Sequence, residues 1–208
     1  TGNATGVATI GHGLGAAPEF MIAKSTTGGH PNIVYWKNLG GHYGTDMDLL
    51  TAPSDLATYW NDVDPTSSLI TLGSGATNTS SVKMLIYAFT SIEGFSKIGI
   101  YTGNGVTDGP VTYTGFKPAY VMIRRTSSTG GWLLHDTQRS PHNLSNLILS
   151  AENASAESTD YPIDFLANGF KARDGNVHYI NATGSTYAYI AFAEYPFGGD
   201  GATPATAF

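Results

Sequence analysis

The 208-residue chain has no cysteine. This excludes disulfides, thiolate metal sites and cysteine nucleophiles together. Charge is scarce as well, at 12% of residues, against roughly 25% in an ordinary soluble domain. Basic residues are outnumbered by acidic ones, giving a net charge of -6, and Arg124-Arg125 is the only adjacent basic pair. A phosphate backbone needs clustered Lys and Arg, so no nucleic-acid partner is expected. No apolar run approaches the roughly 18 residues of a membrane span, so no membrane insertion is expected. The opening TGNATG lacks both an initiator Met and a basic stretch, and is no signal peptide. The chain is expected to be a fragment or processed piece of something longer.

What is present points to strands. Hydrophobic residues make up 41% of the chain, enough for a core, and glycine is abundant at 26 residues. Short runs rich in Val, Ile, Tyr, Phe and Thr alternate with clusters of Gly, Asn, Asp and Ser, the pattern of strands joined by turns. Only Ser54 to Trp60 resembles a helix, about one turn long with Ser54 as its cap. Strands at this spacing without long helices predict an all-β chain, an antiparallel sandwich or jelly-roll-like architecture.

The chain also repeats itself. Pro18 to Lys24 (PEFMIAK) matches Pro118 to Arg124 (PAYVMIR), and each has a glycine three residues upstream, Gly15 or Gly115. Ile33 to Trp36 then answers Trp132 to His135, and Met84 to Phe89 answers Tyr187 to Phe192. A register held near a hundred residues predicts an internal duplication. The expected boundaries are 1–92 for the first repeat, 93–97 for the joint, 98–197 for the second repeat and 198–208 for an extended tail. The two repeats are expected to pack as one globular unit.

That comparison decides how Gly11-His12-Gly13-Leu14-Gly15 reads. A phosphate-cradling loop needs a helix N-terminus after its glycines. Here Ala17-Pro18 and a strand come next, and the second repeat keeps only Gly115. The motif is expected to be a turn between strands. Alternation assigns faces. Both parities of the Pro18 and Pro118 strands are apolar, as in strands covered on both sides. Trp36 aligned with His135 suggests a half-exposed face. Leu85, Tyr87 and Phe89, matching Ala188, Ile190 and Phe192, predict a core face. Tyr187 and Tyr189 then face water, a subunit or a ligand.

Reactive chemistry finds little footing. None of His12, His30, His42, His135, His142 and His178 sits at a zinc-ligand spacing, so no metal is expected. Asp46-Met-Asp48 and Asp62-Val-Asp64 pair carboxylates without continuing into a calcium loop. No nucleophile elbow or acylation motif is present, and no catalytic residue or cofactor is assigned. Adjacent strand residues point to opposite faces, so His135 and Asp136 do not form a base with its orienter. Aromatic residues remain, with flat apolar faces and polar tips that suit sugar rings and protein partners. The candidate ligand contacts are Trp36, Tyr59, Trp60, His135, Tyr187 and Tyr189. The competing reading places most of them in a core.

At the repeat, several segments are familiar. They are GHGLG followed by P-x-F-M-I, WNDVDPTSS at Trp60 to Ser68, IEGFSKIGIYTGNG at Ile92 to Gly105, GFKPAYVMI at Gly115 to Ile123, and AFAEYPFGG at Ala191 to Gly199. Together they resemble an uncharacterised duplicated β domain of marine phage and cyanophage virion proteins, among them predicted tail fibres. The resemblance spans nearly the whole chain. It implies location on a virion, contact with other virion subunits and with the host, and the homotrimeric assembly usual for fibres. It carries no catalytic residues. The leading expectation is a non-enzymatic tail fibre or receptor-binding domain that contacts a host-surface glycan or protein. The alternatives are a capsid or tail decoration protein without a host ligand and, third, a polysaccharide depolymerase.

Overall fold

The computed structural model describes residues 1–27, 29–175 and 178–196. The tail expected over 198–208 lies outside the described residues. The chain is all-β and sandwich-like, built from antiparallel pairings. It divides into two compact units, Thr1–Thr90 and from Ser91 onward. Ser96 and Lys97, placed in the expected joint, already belong to a strand of the second unit.

The first unit holds β1 (Ala8–Gly11), β2 (Phe20–Ser25), β3 (Ile33–Trp36), β4 (Tyr43–Asp46), β5 (Ser54–Asp55), α1 (Ala57–Trp60), β6 (Leu69–Leu72) and β7 (Met84–Phe89). One sheet runs in the order β5-β4-β3-β2-β7, and β1 pairs with β6 in a second. Met21 and Ala23 of β2, Ile33 and Tyr35 of β3, and Ile70 and Leu72 of β6 form the core with Trp60. The helix is the single turn expected, but its cap differs. Leu56 rather than Ser54 occupies the N-cap, with no side-chain cap, and Asn61 closes the turn in the left-handed region. The GHGLG segment is a turn, with Gly13 and Gly15 at φ 72° and 73°. Its His12 serves the turn, accepting from Leu14 N at 3.2 Å.

The second unit holds β8 (Ser96–Thr102), β9 (Val111–Tyr113), β10 (Pro118–Arg125), β11 (Trp132–Asp136), β12 (Leu149–Ser150), β13 (Ile163–Leu166), β14 (Gly169–Ala172) and β15 (Thr186–Ala193). A five-stranded sheet in the order β12-β11-β10-β15-β8 packs on a three-stranded one, β13-β14-β9. Val121, Ile123 and Leu133 from the larger sheet meet Phe165, Phe170 and Ala172 from the smaller.

The ladders show the same construction twice. Phe20 pairs with Phe89 across β2 and β7, and Tyr120 pairs with Phe192 across β10 and β15. Across β2 and β3, Met21 faces Tyr35, while Val121 faces His135 across β10 and β11. Core residues therefore recur a hundred positions apart: Met21 and Val121, Ile33 and Leu133, Ile70 and Phe170. The turns recur as well, Lys37 N donating to Glu19 O as Thr137 N donates to Ala119 O, both at 2.9 Å.

This register corrects the linear alignment of the repeats by one residue. The counterpart of His135 is Tyr35, and that of Trp36 is Asp136. Trp36 and His135 do not mark a half-exposed face, because both are fully buried. The faces expected for the last strands hold only in part: Ala188 and Ile190 are buried as expected, but the rest differs. Tyr187 and Tyr189 point into the core, whereas Leu85 and Tyr87 are exposed. Alternation alone cannot say which face of a two-sided apolar strand is covered, and the expectation fails at that point.

Candidate functional site

The aromatic residues expected to meet a ligand are held in two separate cores. Trp36 packs on Phe20 with ring centroids 4.4 Å apart, and Trp60 meets Tyr35 edge-on at 6.0 Å. Tyr187 stacks on Tyr101 at 5.0 Å, and Tyr189 meets Phe170 edge-on at 5.2 Å. Burial pushes Tyr189 up to about 12 and raises Tyr187 as well, so both remain neutral phenols. Trp36, Trp60, His135, Tyr187 and Tyr189 are thus withdrawn from any ligand arriving from solvent. Tyr59 is half-buried, and its ring occupies the space that a side chain on Gly44 would need.

His135 is completely enclosed, and its pKa falls to about 3. Burial is the main cause, Arg139 adds to it, and the Ser145 backbone offsets only part. Neither ring nitrogen makes a hydrogen bond of acceptable geometry. A neutral, inaccessible imidazole is a structural group and not a base for substrate.

The acidic pairs singled out in the sequence serve turns. Asp64 Oδ1 accepts from Gly41 N at 2.7 Å and from the Tyr35 hydroxyl at 3.1 Å. Asp46 Oδ1 accepts from Asp48 N at 2.9 Å, and Asp48 in turn accepts from Asn32. Asp62, the remaining member of those pairs, instead joins a separate cluster in the first unit. His42, Asp55 and Asp62 place their ligand atoms within 4.8 Å of one another, all exposed. These three could hold a cation. No local spacing announces them, because β4, β5 and the turn after α1 bring them together from separate stretches.

The second unit carries a groove of about 400 Å³ that no motif foretold. Its wall is the turn after β11, with Thr137, Gln138, Ser140, His142 and Asn143. Lys117, Phe165 and Glu194 complete it. The turn is held rigidly. Asp136 Oδ1 accepts from Gln138 N at 3.0 Å and from Arg139 N at 2.8 Å, and Asp136 Oδ2 pairs with Arg139 Nε at 2.5 Å. Burial alone would raise the Asp136 pKa, but these hydrogen bonds from Arg139 and Gln138 bring it below its usual value. Asn143 clamps β13 in both directions, donating to Phe165 O and accepting from Phe165 N, each at 2.9 Å. Among the described residues Glu194 is the only carboxylate lining the groove, and Lys117 pairs with it at 2.7 Å. The groove thus offers polar donors and acceptors, the Lys117–Glu194 ion pair and the Pro141 ring, with Phe165 largely buried behind it. Such a lining suits a polar ligand, and among the described residues it contains one carboxylate, where glycoside hydrolysis uses two that face each other. The polar run Thr137-Gln138-Arg139-Ser140 was the sequence signal available. It reads as an ordinary turn until the fold sets it beside Lys117 and Glu194.

Among the described residues no helix is long and apolar enough to cross a membrane. No curated protein and no solved structure matches the chain. One family model matches residues 1–196, a domain of unknown function designated DUF7483. With nearly its whole length covered, the chain belongs to the DUF7483 family.

Proposed function

We propose that this chain is a non-enzymatic component of a phage virion, a tail-fibre or receptor-binding domain that holds a host-surface glycan in the groove of the second unit. The observation that carries the reading is that groove. About 400 Å³ accommodates one or two sugar rings. Gln138, His142 and Lys117 supply polar contacts along the groove, while the Phe165 side chain is largely committed to the core behind the wall. Among the described residues the one lining carboxylate, Glu194, is paired with Lys117, which favours binding over bond cleavage. Scarce charge and the resemblance to virion proteins agree with this role.

A glycan array with the intact chain is the test. Binding of at least one host-surface glycan is expected, weakened about tenfold or more by the double substitution Lys117→Ala and Gln138→Ala. Replacing the exposed Lys24 of the first unit serves as the control and should change nothing. Binding unaffected by the groove substitutions would remove the groove from the account.

A second reading, decoration of a capsid or tail, is favoured by exposed apolar side chains. Tyr113 is 67% exposed and Ile100 50%, as befits residues covered by neighbouring virion subunits, including other copies in a trimer. Cross-linking that places these two residues against another virion protein, with no glycan bound, would support it.

A further inference from the structure

The duplication is incomplete at one edge. In the second unit, β15 is flanked by β10 and β8. In the first unit, among the described residues, its counterpart β7 is paired with β2 and ends the sheet. The missing neighbour is the counterpart of β8, and its place is marked by the residues at Thr1 to Asn3.

The chain leaves β8 through Thr102-Gly103-Asn104. There Gly103 N donates to Ser185 O at 2.9 Å, Asn104 N to Asn181 Oδ1 at 2.9 Å, and Gly105 N to Asn181 O at 3.0 Å. Asn181 Nδ2 donates to Asn104 Oδ1 at 3.1 Å and to Val106 O at 2.7 Å. Thr1-Gly2-Asn3 repeats this clasp. Gly2 N donates to Val82 O at 2.8 Å, Asn3 N to Asn78 Oδ1 at 3.0 Å, and Ala4 N to Asn78 O at 2.8 Å. Asn78 Nδ2 donates to Asn3 Oδ1 at 2.8 Å and to Thr5 O at 2.9 Å. Even the close approach recurs. A Cβ on Gly2 would lie 2.1 Å from Thr79 O, and one on Gly103 would lie 2.4 Å from Ala182 O. Thr1 therefore stands where Thr102 stands, at the C-terminal end of a strand position beside β7.

The seats for that strand's side chains are open. In the second unit Tyr101 stacks on Tyr187, meets Phe170 edge-on at 5.8 Å and donates to Ile180 O at 2.7 Å. The register maps Tyr187, Phe170 and Ile180 onto Met84, Ile70 and Thr77. A cavity of about 120 Å³ lies there, lined by Thr1, Leu72, Thr77, Met84 and Ile86. A larger groove of about 440 Å³ continues along β7 past Ile70, Ile86, Ala88 and Phe89. Burial tracks occupancy. Tyr187, Tyr189 and Ala191 are at most 3% exposed, whereas Met84, Ile86 and Ala88 on the same face of β7 are only half-buried. An apolar edge strand without charge or proline is also a surface that proteins normally cover.

We propose that the open edge of β7 is the seat of an extended strand of the β8 kind that leads into Thr1. It lies antiparallel to β7, as β8 lies to β15. A large apolar or aromatic side chain, in the place of Tyr101, fills the 120 Å³ cavity. This strand docking is independent of the glycan reading, since it concerns the first unit alone.

The test joins a copy of the sequence Ser91 to Tyr101 directly ahead of Thr1 of the full chain. Amide hydrogen exchange is then monitored along β7. The outward-pointing amides of Met84 to Phe89 are expected to exchange at least tenfold more slowly than in the chain without the addition. Asp in place of the tyrosine that copies Tyr101 should abolish that protection. Unchanged exchange in β7, with β2 still protected to show that the unit is folded, would overturn the proposal. So would concentration-dependent protection of β7 in the chain without the addition, which would assign the edge to a second copy.

Discussion

Two asparagines, Asn78 and Asn181, fasten the corresponding ends of the two units. Each turns a buried amide into the meeting point of several backbone groups. Asn181 is fully buried and does more, since Asp174 O also lies 2.7 Å from its Nδ2, so that its two N–H groups are shared among three acceptors. Removing such a side chain leaves buried carbonyls and an amide N–H without partners, at about 1–3 kcal/mol for each group. Asn181→Ala should therefore lower the unfolding free energy by about 3 kcal/mol, and Asn78→Ala by somewhat less. Urea unfolding of the two variants checks the order, and a neutral Asn181→Ala would contradict the clasp. His135 makes a second prediction at this scale. In the unfolded chain it protonates near its ordinary 6.5, but in the folded chain only near 3. Between these values the unfolded state binds the additional proton, so stability falls as pH is lowered. The slope is about 1.4 kcal/mol per pH unit where the difference is complete. Comparing stability at pH 6.5 and 5 isolates this effect, since carboxylates such as Asp136 lose theirs at lower pH. His135→Leu should flatten the slope in that window, and an unchanged slope would contradict it.

At the scale of elements, β8 is held to β15 by a shape match centred on Gly99. A Cβ there would come within 2.9 Å of the Tyr189 ring and 2.8 Å of its hydroxyl. Overpacking of this kind costs about 1–3 kcal/mol. Gly99→Ala should loosen β8 and accelerate hydrogen exchange at Ile98 and Ile100, while β10 and β11 keep their protection. Equal protection throughout would show that the ring yields freely. Which elements form is legible in the sequence, because β-branched and aromatic runs between glycine-rich turns leave few alternatives. Faces and register are less so. The strand containing Trp36 aligns one residue out of step with its counterpart, because four consecutive apolar residues carry no alternation to fix it. Tyr187 and Tyr189 read as outward-facing for a related reason. Every residue of the strand from Tyr187 to Phe192 is apolar or aromatic, so only the presence of β8 and the β9–β13–β14 sheet reveals which side is the interior.

For the whole molecule, the repeat explains most of what the chain contains, and the differences between its copies indicate function. The first unit ends in an exposed β7 edge, and the second is closed there by β8. At the turn that recurs after β3 and β11, the first unit has Trp36 where the second has Asp136, whose carboxylate holds the backbone that walls the groove. Nothing local in the sequence marks that groove. Lys117, Gln138 and Glu194 are ordinary surface residues until β10, β11 and β15 bring their ends together. Sequence chemistry therefore singles out the aromatic residues, whereas the fold commits most of them to packing and leaves the groove lined mainly by polar residues. The most direct test is chemical-shift mapping of the isotopically labelled chain titrated with host-surface polysaccharide. Saturable shifts confined to Lys117, Thr137 to Asn143, Phe165 and Glu194, with the polysaccharide left intact, are the predicted result. Saturable shifts located in the first unit, or cleavage of the polysaccharide, would contradict the account.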